Sequence, residues 1–213
     1  MAKDTKSYYD FDLDYESILV NNGMIEELFY LKDLKQRKLF LNCNITSDSV
    51  NEIVSHIMQF NADDKDVPVE NRKPILLYIN SCGGEVDAGC TLIDVIRVSN
   101  TPVYTINAGI AYSMAAIVAI AGNKRFSFEN GKYLIHDGSN FVYDSSKKAE
   151  DRMQFQKRVD ERIKDFIISN TNISKEEYEE NDRVEWYMFA DEANRKGLCD
   201  FIIGVDCSLD EIV

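Results

Sequence analysis

An α/β domain built on a parallel sheet, with helices packed over both faces, is predicted by three observations. From residue 74 onward, short apolar runs alternate with longer runs of helical period. The apolar runs, Pro74–Ile79 and Pro102–Ile106 among them, are continuous rather than alternating, as strands buried on both faces are. The composition, 45% hydrophobic and 29% charged over 213 residues, is that of a folded chain. A chain of this length buries ~70% of the surface its unfolded form exposes, so it needs neither disulfide nor metal to fold.

The elements follow in order. Residues 1–24 interleave Asp4, Asp10, Asp12, Asp14 and Glu16 with Tyr8, Tyr9, Phe11 and Tyr15, which predicts an acidic, aromatic arm ahead of a single domain over 25–213. The arm is read either as a frayed terminus or as a segment docked on a neighbour. Lys38–Leu41 is a short buried strand. Val50, Ile53, Val54 and Ile57 recur at helical spacing in 47–60, where Ser49 and Glu52 form a candidate capping box. The charged stretch 61–73 contains Pro68 and is a loop. Strand 74–79 breaks at Gly83-Gly84 and leads to a helix over 86–97, then strand 102–106. Ser113 to Ala121 is apolar on every side, the pattern of a fully buried helix, and Gly122 stands where a left-handed residue ends such a helix. Strands at 125–128 and 133–136 follow. Residues 145–169 form a long charged helix with Phe155, Val159, Ile163, Phe166 and Ile167 on one stripe, a projecting element that suits a partner subunit. A helix over 190–196, stopped by Gly197, and a strand over 198–205 complete the pattern. Right-handed crossovers join the parallel strands.

Charge and cysteine usage exclude several classes. Lys and Arg number 24 against 37 Asp and Glu, a formal net charge of −13, which disfavours nucleic acid and anionic membranes as partners. The five cysteines, Cys43, Cys82, Cys90, Cys199 and Cys207, are odd in number and show no C-x-x-C spacing, so reduced thiols in a cytoplasmic protein are expected. Neither an apolar leader nor a run of membrane-spanning length is visible. No metal or cofactor is expected.

Chemistry has few places to sit. The two histidines are His56, read as an exposed helix residue, and His136, at the carboxyl end of a strand where sites of such sheets gather. Ser113 opens the buried helix. It reads either as an N-cap or as a nucleophile at a helix terminus whose N–H groups stabilise an oxyanion. Its flanks, Ala111 and Ala115, are not those of the G-x-S-x-G elbow. Ser81-Cys82-Gly83-Gly84 is either a tight turn or a ledge of N–H donors for an oxyanion or an extended peptide. Phosphate-loop patterns are absent, and Cys82 lacks a second histidine to serve it as a nucleophile.

Together these segments resemble one family over about residues 36–205. Tyr78-Ile79-Asn80-Ser81-Cys82-Gly83-Gly84 is similar to its Y-I-N-S-P-G-G, with Ala88-Gly89 at the right offset. Gly109 to Ala115 is similar to G-x-A-x-S-M-[GA], Gly122 to Phe126 to G-x-[KR]-R-F, and Leu134-Ile135-His136 to M-I-H. Met188, Ala190, Glu192-Ala193, Gly197-Leu198 and Asp200 are similar to [ML]-[ST]-A-x-E-A-x-x-x-G-L-[IV]-D. The family is that of the ClpP peptidases. The resemblance implies a crotonase-like α/β fold whose long helix is a handle between rings. It implies a serine endopeptidase acting on peptides or unfolded proteins, with Ser113 as nucleophile, His136 as general base, and Gly84 and Met114 as oxyanion donors. It further implies a homo-oligomer of heptameric rings, stacked in the family, fed by an AAA+ unfoldase. Counting back from Tyr187 and Met188, the family's Asp is here Glu185, with Asp182 the alternative acid if the loop is re-registered. Other departures are Cys82 for proline, Phe189 for a small hydroxyl residue, Asp137-Gly138 for Gln-Pro, and Ser139 to Asp144 for a glycine-rich segment. Two further readings share the fold: an inactive or regulatory ring subunit, and a crotonase-like acyl-thioester enzyme that would not need Ser113.

Overall fold

The computed structural model describes residues 17, 19–137, 146–181 and 184–212. Most of the acidic arm, the segment from Gly138 to Asp144, and Asp182 therefore lie outside the described residues. The apolar runs become strands of one seven-stranded sheet. β1 (Lys38–Leu41), β2 (Ile75–Ser81), β3 (Val103–Tyr112), β4 (Lys124–Phe128) and β7 (Phe201–Ile203) are joined in that spatial order, each pair parallel. β5 (Lys132–Ile135) branches from β3 in parallel, and β6 (Trp186–Phe189) pairs antiparallel with β5.

Around the sheet run α1 (Ile25–Lys35), α2 (Ser47–Asp63), α3 (Val86–Val98), α4 (Met114–Ile120), α5 (Ser146–Asn170), α6 (Lys175–Asn181) and α7 (Ala190–Arg195). α2, α3 and α4 supply three successive crossovers. They bury Ile57, Leu92, Ile96 and Val118 against Leu41, Ile75, Leu77 and Ile79 of β1 and β2. The helical layer expected on both faces is dense only there. The other face carries a smaller cluster of Leu76, Ile106, Phe126, Ile203 and Ile212. Alternate residues of β1, β2, β4 and β7 put aromatic rings on that face, where they stack on one another: Phe40 on Tyr78 and Phe126 on Phe201, each at 5.3 Å.

Several local expectations shift. The α2 cap is Thr46, which exchanges hydrogen bonds with Ser49, rather than the pair Ser49 and Glu52, because the helix begins at Ser47, three residues ahead of where a Ser49 cap would start it. Gly122 is not left-handed; a Cβ there would run into the Thr105 side chain, so close packing is what calls for glycine. β3 runs on to Tyr112, six residues past its predicted end, and β7 occupies only the middle of the predicted 198–205 strand. The apolar stripe of α5 divides: Ile163, Phe166 and Ile167 pack on the core, while Met153 and Phe155 are exposed. α5 thus projects at its N-terminal end, as a handle does.

Candidate active site

β3 builds the site by changing partners. Its first half pairs with β4 through Tyr104–Asn107, and its second half pairs with β5 through Ile110–Tyr112. Gly109 stands at the change, where a Cβ would lie 2.7 Å from Asn80 Oδ1. The same oxygen accepts the Ile110 N–H at 3.2 Å. The fork sends the end of β3 alongside the end of β5, and so brings Ser113 beside the strand that delivers His136.

Ser113 has φ 54° and ψ −128°, a left-handed conformation on a residue with a side chain. Such geometry costs about 1–3 kcal/mol and persists only where the surroundings over-determine it. Here the Ser113 N–H donates to Leu134 O at 2.9 Å, and the wholly buried α4 begins at the next residue. The hydroxyl makes no capping hydrogen bond and is half-buried. Capping therefore does not account for it. A strained strand-to-helix turn presenting a serine hydroxyl is the mechanical content of a nucleophile elbow, built here without flanking glycines.

The glycine ledge lies directly against this turn. Gly83 has φ +90°, and a Cβ on it would sit 2.6 Å from Tyr112 O and 2.9 Å from Ser113 Cβ. Gly84 is held against Ile45, whose N–H donates to Gly83 O at 2.8 Å and whose carbonyl accepts from Glu85 N–H at 2.9 Å. The buried Ser81 hydroxyl braces the ledge, donating to Cys43 O at 2.6 Å and accepting the Gly83 N–H at 3.1 Å. The backbone N–H groups of Gly84 and Met114 have no hydrogen-bond partner among the described residues. Met114 follows Ser113 directly, and Gly84 follows the glycine packed against it, so both donors lie close to the serine in the chain or the ledge.

β5 and β6 bring the other side chains. Their antiparallel register pairs Lys132 with Phe189, Tyr133 with Met188, Leu134 with Tyr187 and Ile135 with Trp186. His136 follows the last residue of β5, and Glu185 precedes the first residue of β6, where the Tyr187 N–H donates back to Glu185 O at 3.2 Å. His136 is half-buried and Glu185 exposed. Among the described residues no hydrogen bond joins Ser113 to His136, His136 to Glu185, or His136 to Asp137. Instead, the Tyr187 hydroxyl donates to Glu185 Oε2 at 2.8 Å, and its ring meets that of Tyr112 edge-on at 5.7 Å. The phenol is pushed above its ordinary pKa, chiefly by this hydrogen bond.

His56 is not a plain surface residue. Its Nε2 lies 2.8 Å from the Tyr30 hydroxyl, which also donates to Glu52 at 2.7 Å, and burial lowers its pKa against the opposing charge of Glu52. It ties α2 to α1, far in the chain from Ser113. Among the described residues no cluster of three or more His, Cys, Asp or Glu side chains offers a metal site. A polar surface cavity of about 360 Å³ beside Arg125, Asn170 and Asp200 involves none of the site residues.

Sequence reasoning singled out Ser113, His136 and the ledge because each sits in a local motif. It missed Tyr112, Tyr187 and the bracing role of Ser81, whose parts depend on strand pairing. β6 itself carries only four residues and no run of period.

The Clp protease family model matches residues 22–206. The chain is also similar to the ATP-dependent Clp protease proteolytic subunit 2 of Treponema pallidum (strain Nichols), 29% identical over 180 residues that cover 84% of this chain and 87% of that protein.

Proposed function

The chain belongs to the Clp protease family, and from that premise we propose that it is a serine endopeptidase cleaving peptides or unfolded proteins inside a ring-shaped homo-oligomer. The observation that carries the proposal is the strained Ser113 turn, whose hydroxyl makes no capping hydrogen bond and which packs against the Gly83 ledge. Such a hydroxyl is a weak nucleophile until a base takes its proton. His136 fills that role, accepting the Ser113 proton as Oγ attacks the scissile carbonyl. The Gly84 and Met114 N–H groups meet the developing oxyanion. His136 then protonates the leaving amine, and water repeats the sequence to release the acyl group. Glu185, just ahead of β6 as His136 is just past β5, orients the imidazole and stabilises its charged form. The exposed half of α5 suits ring-to-ring contact, and an AAA+ unfoldase would supply unfolded chains.

A second reading, a catalytically silent ring subunit, is favoured by one feature: no hydrogen bond links Ser113, His136 and Glu185 in the single chain. The test is intact mass after exposure to a fluorophosphonate. One adduct on the parent, absent from Ser113→Ala, is expected. A folded, assembled protein that takes no adduct would favour the silent subunit.

A further inference from the structure

We propose that Tyr187 is a positioning residue for the triad acid: its phenol anchors one carboxylate oxygen of Glu185 and leaves the other for His136. The inference rests on the peptidase reading above. A glutamate reaches further than an aspartate and has one more torsion to restrain. On an exposed site that freedom would spread the carboxylate over several rotamers. The structure supplies a restraint two residues on, in β6, where the Tyr187 hydroxyl donates to Glu185 Oε2 at 2.8 Å. Oε1 accepts no hydrogen bond among the described residues.

The tyrosine is itself held. Its ring meets Tyr112 at 5.7 Å with an interplanar angle of 83°, the edge-to-face geometry that aromatic pairs favour. Tyr112, Leu134 and Tyr187 form one rung across β3, β5 and β6. Tyr112 is also the residue before Ser113, so a single aromatic contact spans the nucleophile's strand and the acid's strand. A phenol stays protonated, and so a donor, across the neutral range.

The test is a double-mutant cycle on the assembled full-length protein, using Tyr187→Phe, Glu185→Ala and the double variant. The readouts are kcat and KM on an unstructured fluorogenic peptide and the rate of fluorophosphonate labelling at Ser113. Tyr187→Phe keeps the ring, and thermal unfolding checks that the fold is retained. We expect it to lower kcat by about tenfold with KM unchanged, and to change nothing further in the Glu185→Ala background. The same loss in both backgrounds would mean a merely structural tyrosine and overturn the proposal. So would parental activity in Tyr187→Phe, or a gain, which would mean that the phenol holds the acid away from His136. A parent that neither cleaves nor labels would sink the peptidase reading itself, a result distinct from a labelled parent unaffected by Tyr187→Phe.

Discussion

Gly83 has no room to be anything else. Its φ of +90° disfavours a side chain, and a Cβ would collide with the carbonyl of Tyr112 and the Cβ of Ser113. Gly83→Ala must therefore either push the ledge away from the serine or distort the strained turn. We expect it to cost about 2 kcal/mol of stability by urea unfolding and to slow Ser113 labelling at least tenfold. Parental labelling by this variant would show that the ledge and the serine turn are not mechanically coupled. At this scale much was legible. Ser113, His136 and the paired glycines announce themselves by residue type and neighbours. Gly122 was legible as a necessary glycine but for the wrong reason: the sequence suggests handedness, whereas the constraint is the Thr105 side chain brought up by β3.

Among the elements, α2 shows how local chemistry sets a boundary. Thr46 in extended conformation accepts from the Ser49 N–H at 3.2 Å, and Ser49 Oγ accepts from the Thr46 N–H at 3.0 Å. Thr46→Ala should lower stability by about 1 kcal/mol in denaturant titration with an unchanged m-value. No change would mean that the terminus is held by its burial alone. The period of the apolar residues gave α2, α3 and α4 nearly to their ends, because packing on one face imposes that period directly. α1, α6 and β6 escaped it. Only Leu28 and Leu34 of α1 are buried, and α6 has no buried residue, so neither has an apolar stripe to read. β6 is a strand by virtue of β5, a partner about fifty positions earlier in the chain.

Across the whole molecule, Arg37 and Asp64 clamp the beginning of the sheet to the end of α2. Arg37 takes a left-handed φ of 60° just before β1 and donates from both terminal nitrogens to Asp64, at 2.5 and 2.6 Å. Thr101, ahead of β3, donates to the same carboxylate at 2.9 Å. Burial pushes the Asp64 carboxyl up, but hydrogen bonds from Arg37 and Thr101 and the charges of Arg37 and Arg72 outweigh it, so its pKa lies below the ordinary value of 3.8. A depressed folded-state pKa stabilises at pH above the unfolded value, and that stability is lost as pH falls through the folded value. Asp64→Asn should therefore be about 3 kcal/mol less stable than the parent at pH 7, with the gap narrowing below about pH 4. An equal gap at pH 7 and pH 3, measured by urea unfolding, would place the clamp's contribution elsewhere.

The fork in β3 has a mechanical consequence. His136 and Glu185, the proposed base and acid, adjoin β5 and β6, which four paired rungs hold as one lever, while Ser113, the proposed nucleophile, adjoins β3. The lever joins β3 over only three paired positions, Ile110 to Tyr112. A swing at that hinge widens or closes the gap between serine and histidine while carrying histidine and glutamate along together. Loads applied to the far end of the lever would therefore act on the serine–histidine distance and spare the histidine–glutamate one.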